Sequence, residues 1–411
     1  MAIKNPAFPY RRGSNASEQD FFDIPDESCL TVVKRELRRV RTWVVLLVFF
    51  VLIKWMRRTP PPPPPLPHIH YDEVDWSRFA YTQYATSETY LCNCVMVFEA
   101  LHRLGSRADR LLFYPKEWDL VIDGDSDRIS QLLVLAKDQY NVQMVPVAIE
   151  GIMAETGGEG EFSEASWDTS TAKLYAFGVL QYDRVIHLDS DMMLFQPMDE
   201  LFFLPKTSIA MPRAYWLLPE TRTLSSLVAV IEPSYREFTL LKEAIQPAIF
   251  GQVDLNLTNA RYDMEVLNSR YGDSALVLPH RQYGLISGEF RRKDHHAYLG
   301  NDHEEWNPEK VISEAKFVHF SDWPLPKPWV MWTQEQLATL QPACDNNPGT
   351  PQESGCKDRE IWKQLYDEFR RKRKGHVLTI TIVDPTSPSK AKNVSSQQLL
   401  PTPTNPTPSQ Q

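Results

Sequence analysis

An α/β fold with a mostly parallel sheet, carried behind one N-terminal membrane-spanning helix, is what this sequence predicts. Three observations predict it. Strand-like apolar runs alternate with segments of helical spacing through the first half of the chain, the pattern that lays strands parallel with helices on both faces. The run Val185-Ile186-His187-Leu188 stops at Asp189-Ser190-Asp191, polar residues of the kind found where a parallel sheet presents its ligand edge, beyond the carboxyl ends of its strands. Far upstream, Trp43 to Ile53 is apolar without interruption.

That upstream run sets the domain plan. Residues 1–41 read as a cytosolic tail, 42–56 as a transmembrane signal anchor, 57–77 as a Pro-rich stem, 78–384 as a luminal domain and 385–411 as a disordered tail. Lys34, Arg35, Arg38, Arg39 and Arg41 precede the apolar run, and only Arg57 and Arg58 follow it, so the N-terminal flank stays cytosolic. The run is short against the roughly 20 residues usual for a span, but Lys54 can snorkel and Trp43 and Trp55 suit the two interfaces. A buried helix would not carry such charged flanks. A cleaved signal needs a small-residue site, whereas Thr59 leads straight into Pro60 to Pro65. A short span fits the thinner membranes of the early secretory pathway. The prolines form a stiff spacer, and the Pro-, Ser-, Thr- and Gln-rich C-terminus lacks the apolar content to fold.

Within the luminal domain, Phe79 to Ala85 reads as the first strand. Thr89 to Leu104 has helical apolar spacing (Leu91, Val95, Phe98, Leu101) and stops at Gly105. Arg110 to Tyr114 is a strand halted by Pro115. A helix from Arg128 to Tyr140 leads to a strand from Val142 to Ile149, and a Gly- and Glu-rich insertion, Glu150 to Asp168, follows as a surface loop. A helix from Thr169 to Tyr182 feeds the strand that ends at Asp189. The second half mixes strands (Ser208 to Pro212, Leu227 to Glu232, Ala275 to Leu278, Lys316 to Phe320) with helices (Tyr235 to Ile245, Ala260 to Arg270). A long helix, Lys357 to Lys374, precedes a last strand, His376 to Val383.

With 411 residues, 42% of them hydrophobic, the chain can bury a large core, and a net charge of −9 argues against a general nucleic-acid role. Five cysteines fit an oxidising lumen: Cys344 and Cys356 bracket a Pro/Gly/Asn-rich loop and are candidates to pair, while Cys92 and Cys94 read as small core residues. Asn256-Leu257-Thr258 and Asn393-Val394-Ser395 are glycosylation acceptors on the luminal side, and Asn15-Ala16-Ser17 lies on the other.

Asp189 and Asp191, spaced i, i+2, share a face of an extended strand. Two hard carboxylates there can hold one divalent cation, Mn²⁺ or Mg²⁺, with positions left for substrate phosphates. A rival lies at Asp123-Gly124-Asp125-Ser126-Asp127. As a calcium loop it fails, with Arg128 where Gly is needed and Val134 where Glu is needed. Asp125 and Asp127 read instead as caps of the helix that follows.

The context of the pair carries a family resemblance. Ala172-Lys173-Leu174, then Val179-Leu180-Gln181-Tyr182, the apolar strand, Asp189-Ser190-Asp191 and Pro197-Met198-Asp199-Glu200-Leu201-Phe202 resemble the central block of the glycogenin-like glycosyltransferases of family 8. Phe317-Val318-His319-Phe320 followed by Lys327-Pro328-Trp329 resembles that family's C-terminal motif. In detail (Tyr90-Leu91-Cys92-Asn93; His319 to Pro324) the chain is most similar to the family's fungal Golgi N-acetylglucosaminyltransferases. The resemblance covers about residues 78 to 335 and implies a GT-A, Rossmann-like nucleotide-sugar transferase fold. It also implies roles. His319 is a third metal ligand beside Asp189 and Asp191, and a mixed oxygen and imidazole set favours Mn²⁺. Lys327 contacts the donor diphosphate, and Lys173 reaches the sugar-phosphate. Tyr90 stacks on uracil beside the Thr86 backbone, and Asp263 lies near the transferred sugar. His187 stays structural.

Departures from glycogenin fall in the sugar pocket. Met264 stands where that family has a Gln, Ser225-Ser226 where it has Asn-Ser, and Ser321-Asp322-Trp323-Pro324 lengthens the last motif. The resemblance therefore implies a retaining, metal-dependent transfer of N-acetylglucosamine from UDP-GlcNAc to a glycan, with mannose units of N-linked chains as acceptor, by a Golgi type II membrane protein. A substitution on one face of the sugar through an oxocarbenium-like state accounts for retention without a nucleophile. The alternatives are a glycogenin-like glucosyltransferase and a catalytically silent glycan-binding scaffold.

Overall fold

The computed structural model of the chain describes residues 41, 43–45, 47–49, 70–148, 170–250, 263–322, 325–330, 332–344 and 354–380. Two units are delimited, Met1–Asp72 and Glu73–Gln411. In the first, Arg41, Trp43 to Val45 and Leu47 to Phe49 are helical, and the apolar ones are exposed. Among the described residues no helix is long and apolar enough to cross a membrane. The rest of the expected anchor, the insertion from Glu150 to Asp168 and the acceptors Asn15, Asn256 and Asn393 lie outside the described residues.

In the second unit a seven-stranded sheet runs in the order β3-β2-β1-β4-β7-β6-β8. Its strands are β1 (Phe79–Tyr84), β2 (Asp109–Pro115), β3 (Val142–Val147), β4 (Arg184–Leu188), β6 (Ile209–Pro212), β7 (Val228–Ile231) and β8 (Leu276–Leu278). β3, β2, β1 and β4 pair in parallel, β7 lies antiparallel between β4 and β6, and β6 pairs in parallel with β8. Six strands thus share one direction and β7 alone opposes them. A separate antiparallel pair joins β5 (Met192–Leu194) to β9 (Phe317–His319). Pro146 is tolerated because β3 is an edge strand.

Alternation along the strands divides the core between the two faces. Tyr81, Leu112, Ile186, Leu188 and Val230 join one buried cluster with α1 (Glu88–Arg103), α2 (Arg128–Tyr140) and the C-terminal helix. Ala80, Leu111, Phe113, Val185 and Ile231 join a second, with the 3-10 segment Ser170–Gly178, α3 (Tyr235–Phe250) and α4 (Asp263–Tyr271). Short helices α5 (His280–Tyr283), α6 (His296–Leu299), α7 (Pro308–Glu314) and α8 (Gln334–Leu340) fill the second half, and α9 (Ser354–Ile380) closes the unit.

Three expectations change. The helix before β4 is a 3-10 segment, Ser170–Gly178, and Ala172, Lys173, Leu174, Ala176 and Phe177 in it are all buried. With nearly every side enclosed it has no solvent face of the kind an amphipathic α-helix presents. The strand expected from His376 is helix to Ile380, where the described residues stop. Ile361, Trp362, Leu365, Tyr366 and Phe369 anchor α9 to the core, and extending an anchored helix is far easier than nucleating a strand. Of the two expected caps, Asp127 is the N-cap of α2, accepting from Ser130 N at 3.2 Å, whereas Asp125 is exposed.

Candidate active site

β4 delivers Asp189 and Asp191 to the carboxyl edge of the sheet, and the small second sheet delivers His319. Beyond β4 the Asp189 N–H donates to Leu227 O at 3.2 Å. Then β5 pairs with β9 so that Met192 lies opposite His319, and Phe320 N donates to Asp191 O at 2.9 Å. One ligand atom from each of Asp189, Asp191 and His319 comes within 4.8 Å of the others. His319 Nε2 is 2.9 Å from Asp191 Oδ1 and 3.4 Å from Asp189 Oδ2. Yet it is buried without a hydrogen bond of acceptable angle. Its Nδ1 pairs with Ser321 Oγ at 2.7 Å, which fixes the ring and leaves Nε2 toward the carboxylates. An orphaned buried nitrogen facing two carboxylates fits a cation better than it fits a hydrogen-bonded ion pair, and the mixed donor set suits Mn²⁺.

Two lysines flank the triad. Lys173 is buried, with Nζ 2.9 Å from Asp189 Oδ1 and 2.6 Å from Asp263 Oδ2. It also donates to Ser226 O at 3.2 Å, and Ser226 Oγ donates to Asp263. Lys173, Asp189, Asp263 and Ser226 therefore form one network that ties α4 to the acidic edge. Lys327 lies on the far side, its Nζ 2.5 Å from Asp191 Oδ2 and donating to Phe320 O at 2.8 Å. Tyr90, in the first turn of α1, meets the Trp329 ring edge-on at 5.7 Å. Thr86 sits half-buried in the turn between β1 and α1, and Ser87 beside it is the N-cap of α1. All the predicted site residues are thus found at the carboxyl end of the parallel strands or on segments bonded to it.

The charges are mutually fixed. Burial pushes the Asp191 carboxyl up, but His319 and Lys327 outweigh it and hold it far below the usual carboxylate range. Asp189 is lowered too, burial being outweighed by Lys173 and His319. Burial works against protonation of His319, Lys173 and Lys327, yet the facing carboxylates raise all three. His187 differs: burial and then Lys173 depress it to about 3, while Thr82 Oγ1 holds its Nδ1 at 3.0 Å, so it is a neutral structural histidine.

Three further residues belong to the site. Ser226 stands where the resembling family also has a Ser, beside the departure at Ser225, and nothing else in the sequence marked it. Asn268 binds the Leu224 backbone through both ends of its amide, at 2.7 Å each, and so sets the segment carrying Ser225 and Ser226. Tyr84 ends β1, whose register places it next to Asp189, and its ring stacks on His187 at 5.8 Å. Burial, then Asp189 and Asp263, push its hydroxyl well above the ordinary tyrosine value. The only signal for Tyr84 was its place at a strand end. On α4, Met264 is half-buried and Glu265 exposed, so Glu265 does not replace the missing Gln.

No family model matches the chain. Its sequence is 63% identical over 372 residues to glucose N-acetyltransferase 1 of Aspergillus fumigatus, a match covering 90% of this chain and 96% of that protein. The chain belongs to the glucose N-acetyltransferase 1 family. It is accordingly an enzyme, a transferase. The protein of that name from Gibberella zeae is 49% identical over 308 residues, 73% of this chain and 63% of its own length. The one from Saccharomyces cerevisiae is 23% identical over 417 residues, 73% of this chain and 82% of its own. Among solved structures, the galactosyltransferase LgtC in complex with donor and acceptor sugar analogs aligns at 12% identity and a TM-score of 0.41, over 71% of this chain and 99% of that one.

Proposed function

We propose that the chain is a metal-dependent, retaining N-acetylglucosaminyltransferase of glycosyltransferase family 8 that takes its sugar from UDP-GlcNAc and adds it to a glycan, mannose units of N-linked chains, in the Golgi lumen. The observation that carries the reading is the meeting of Asp189, Asp191 and His319 between two buried or half-buried lysines at the carboxyl edge of the sheet. Asp189, Asp191 and His319 would hold Mn²⁺, or Mg²⁺, and a bound dication there supplies Lewis-acid stabilisation of the leaving UDP.

The chain's own residues do the rest. Lys173 and Lys327, now paired with carboxylates, would turn to phosphate oxygens once those carboxylates face a cation. Positioned ammonium groups stabilise charge that grows on the leaving diphosphate. Asp263, held by Ser226 and Lys173 at the start of α4, would face the transferred sugar. Tyr90 supplies a flat face to the uracil beside Thr86.

The donor follows from the sugar pocket. Where glycogenins place polar groups beside glucose, this chain has Ser225 and Met264. The acetamido methyl needs an apolar contact, and a flexible thioether provides one. With Mn²⁺, the purified luminal domain should use UDP-GlcNAc in preference to UDP-Glc, and Met264→Gln should narrow that preference by about 1–3 kcal/mol, the worth of a methyl-sized contact. Equal or better turnover of UDP-Glc by the unmodified protein would restore the glucosyltransferase reading, and hydrolysis of neither donor the scaffold reading.

A further inference from the structure

α9 contacts the residues that flank His319 and Lys327. Trp362 Nε1 donates to Asp322 Oδ2 at 3.2 Å, and the Phe369 ring lies 4.8 Å from Phe320 and 5.8 Å from Trp329. Arg370 Nε donates to the Pro328 carbonyl at 2.8 Å while its guanidinium lies 4.9 Å over the Trp332 ring. Arg373, one turn on, donates to Thr89 O at 3.0 Å and to Asn93 Oδ1, and its guanidinium lies 5.8 Å over Trp329. Thr89 and Asn93 bracket Tyr90 on α1, and Tyr90 touches Trp329.

We propose that Arg370 and Arg373 are positioning residues that clamp the Lys327-Pro328-Trp329 loop against α1 and so set where the Lys327 ammonium and the Tyr90 ring meet the nucleotide diphosphate. This rests on the reading above that those two residues contact the donor. Pro328 is buried, so its carbonyl has no ready replacement for the Arg370 bond. Arg373 meets both α1 acceptors through Nη1 while its guanidinium lies over the Trp329 ring, so one side chain pins the loop to α1. Neither arginine reaches the acid triad. Each acts through the loop, and a small displacement of a charge-bearing loop is enough to cost binding of a charged ligand.

The test is calorimetric titration of UDP into the Mn²⁺-loaded full-length protein, with thermal unfolding measured alongside. Arg370→Ala and Arg373→Ala should each weaken UDP about tenfold, the scale of one lost hydrogen bond from a charged group. Arg370→Lys should recover most of the loss because an ammonium can still reach one carbonyl. Arg359→Ala is the control: Arg359 makes the same kind of bond from the same helix to a different loop, at Pro342 O, 2.7 Å. It should leave UDP affinity unchanged even where it lowers the melting temperature. Should Arg370→Ala fail to fold, Arg373→Ala carries the same test. UDP affinity unchanged in the arginine variants, or weakened equally by Arg359→Ala, overturns the clamp. If the unmodified protein binds no UDP, or Lys327→Ala binds it undiminished, the donor reading fails instead.

Discussion

Asp191 faces His319 on one oxygen and Lys327 on the other, so its carboxylate joins the acidic triad to the lysine proposed above to contact the diphosphate. Asp191→Ala should abolish Mn²⁺-dependent UDP binding, measured by calorimetry, while the circular dichroism of the domain survives; retained affinity would place the cation elsewhere. His319 gives a prediction with a sign. Its pKa is raised in the fold because Asp191 and Asp189 outweigh burial. Without a cation, its proton therefore contributes stability that is fully present below the unfolded value of about 6.5 and is lost as pH rises through the higher folded value. A cation must displace that proton, so Mn²⁺ affinity should fall as pH drops below the folded value. At pH 6, titrations in two buffers of different ionisation heat should show close to one proton released per Mn²⁺ bound. No release at that pH would mean that His319 is not a ligand.

At the scale of elements, the N-cap of α2 offers a clean contrast with Asp189 and Asp191. Asp127→Ala removes an acceptor from Ser130 N and should lower stability by about 1 kcal/mol in denaturant titration, with UDP affinity untouched. A loss of UDP affinity in that variant would mean that the wrong aspartates had been chosen. The longer elements were legible in the sequence because their periodicity repeats often enough to read: α1, α2, β1, β2 and β4 stand within a residue or two of expectation. What brought the site together was not legible. β5 has three residues, too few for any period to show, yet its pairing with β9 seats His319 beside the two aspartates. The Lys173 segment read as an ordinary helix, since apolar spacing does not distinguish a 3-10 turn from an α-turn when all sides are buried. The contacts of α9 join residues as much as 284 positions apart, a distance over which local pattern carries nothing.

For the molecule as a whole, two features bear on where the catalytic unit resides. Cys344 is disulfide-bonded, whereas Cys92 and Cys94 are free and buried, a usage that fits an oxidising compartment. Upstream, Trp43, Val44, Val45, Leu47, Val48 and Phe49 are helical and more than half exposed. Each apolar side chain so placed stands to gain about 1.5–3 kcal/mol by leaving water. A bilayer would accept such a helix on all sides, and the five basic residues before it against two after it would, by the positive-inside rule, orient the following domain toward the lumen. The expected result is a single span near Thr42 to Met56. In sealed microsomes added protease should remove the N-terminal tail and leave the domain from residue 78 intact until detergent is added. Asn256 should then carry a glycan whose removal by endoglycosidase shifts the band, a shift that Asn256→Gln abolishes unless Asn393 is also used. Digestion of the domain in intact vesicles would place it in the cytosol, and a transferase of N-linked chains in the Golgi lumen would no longer be tenable.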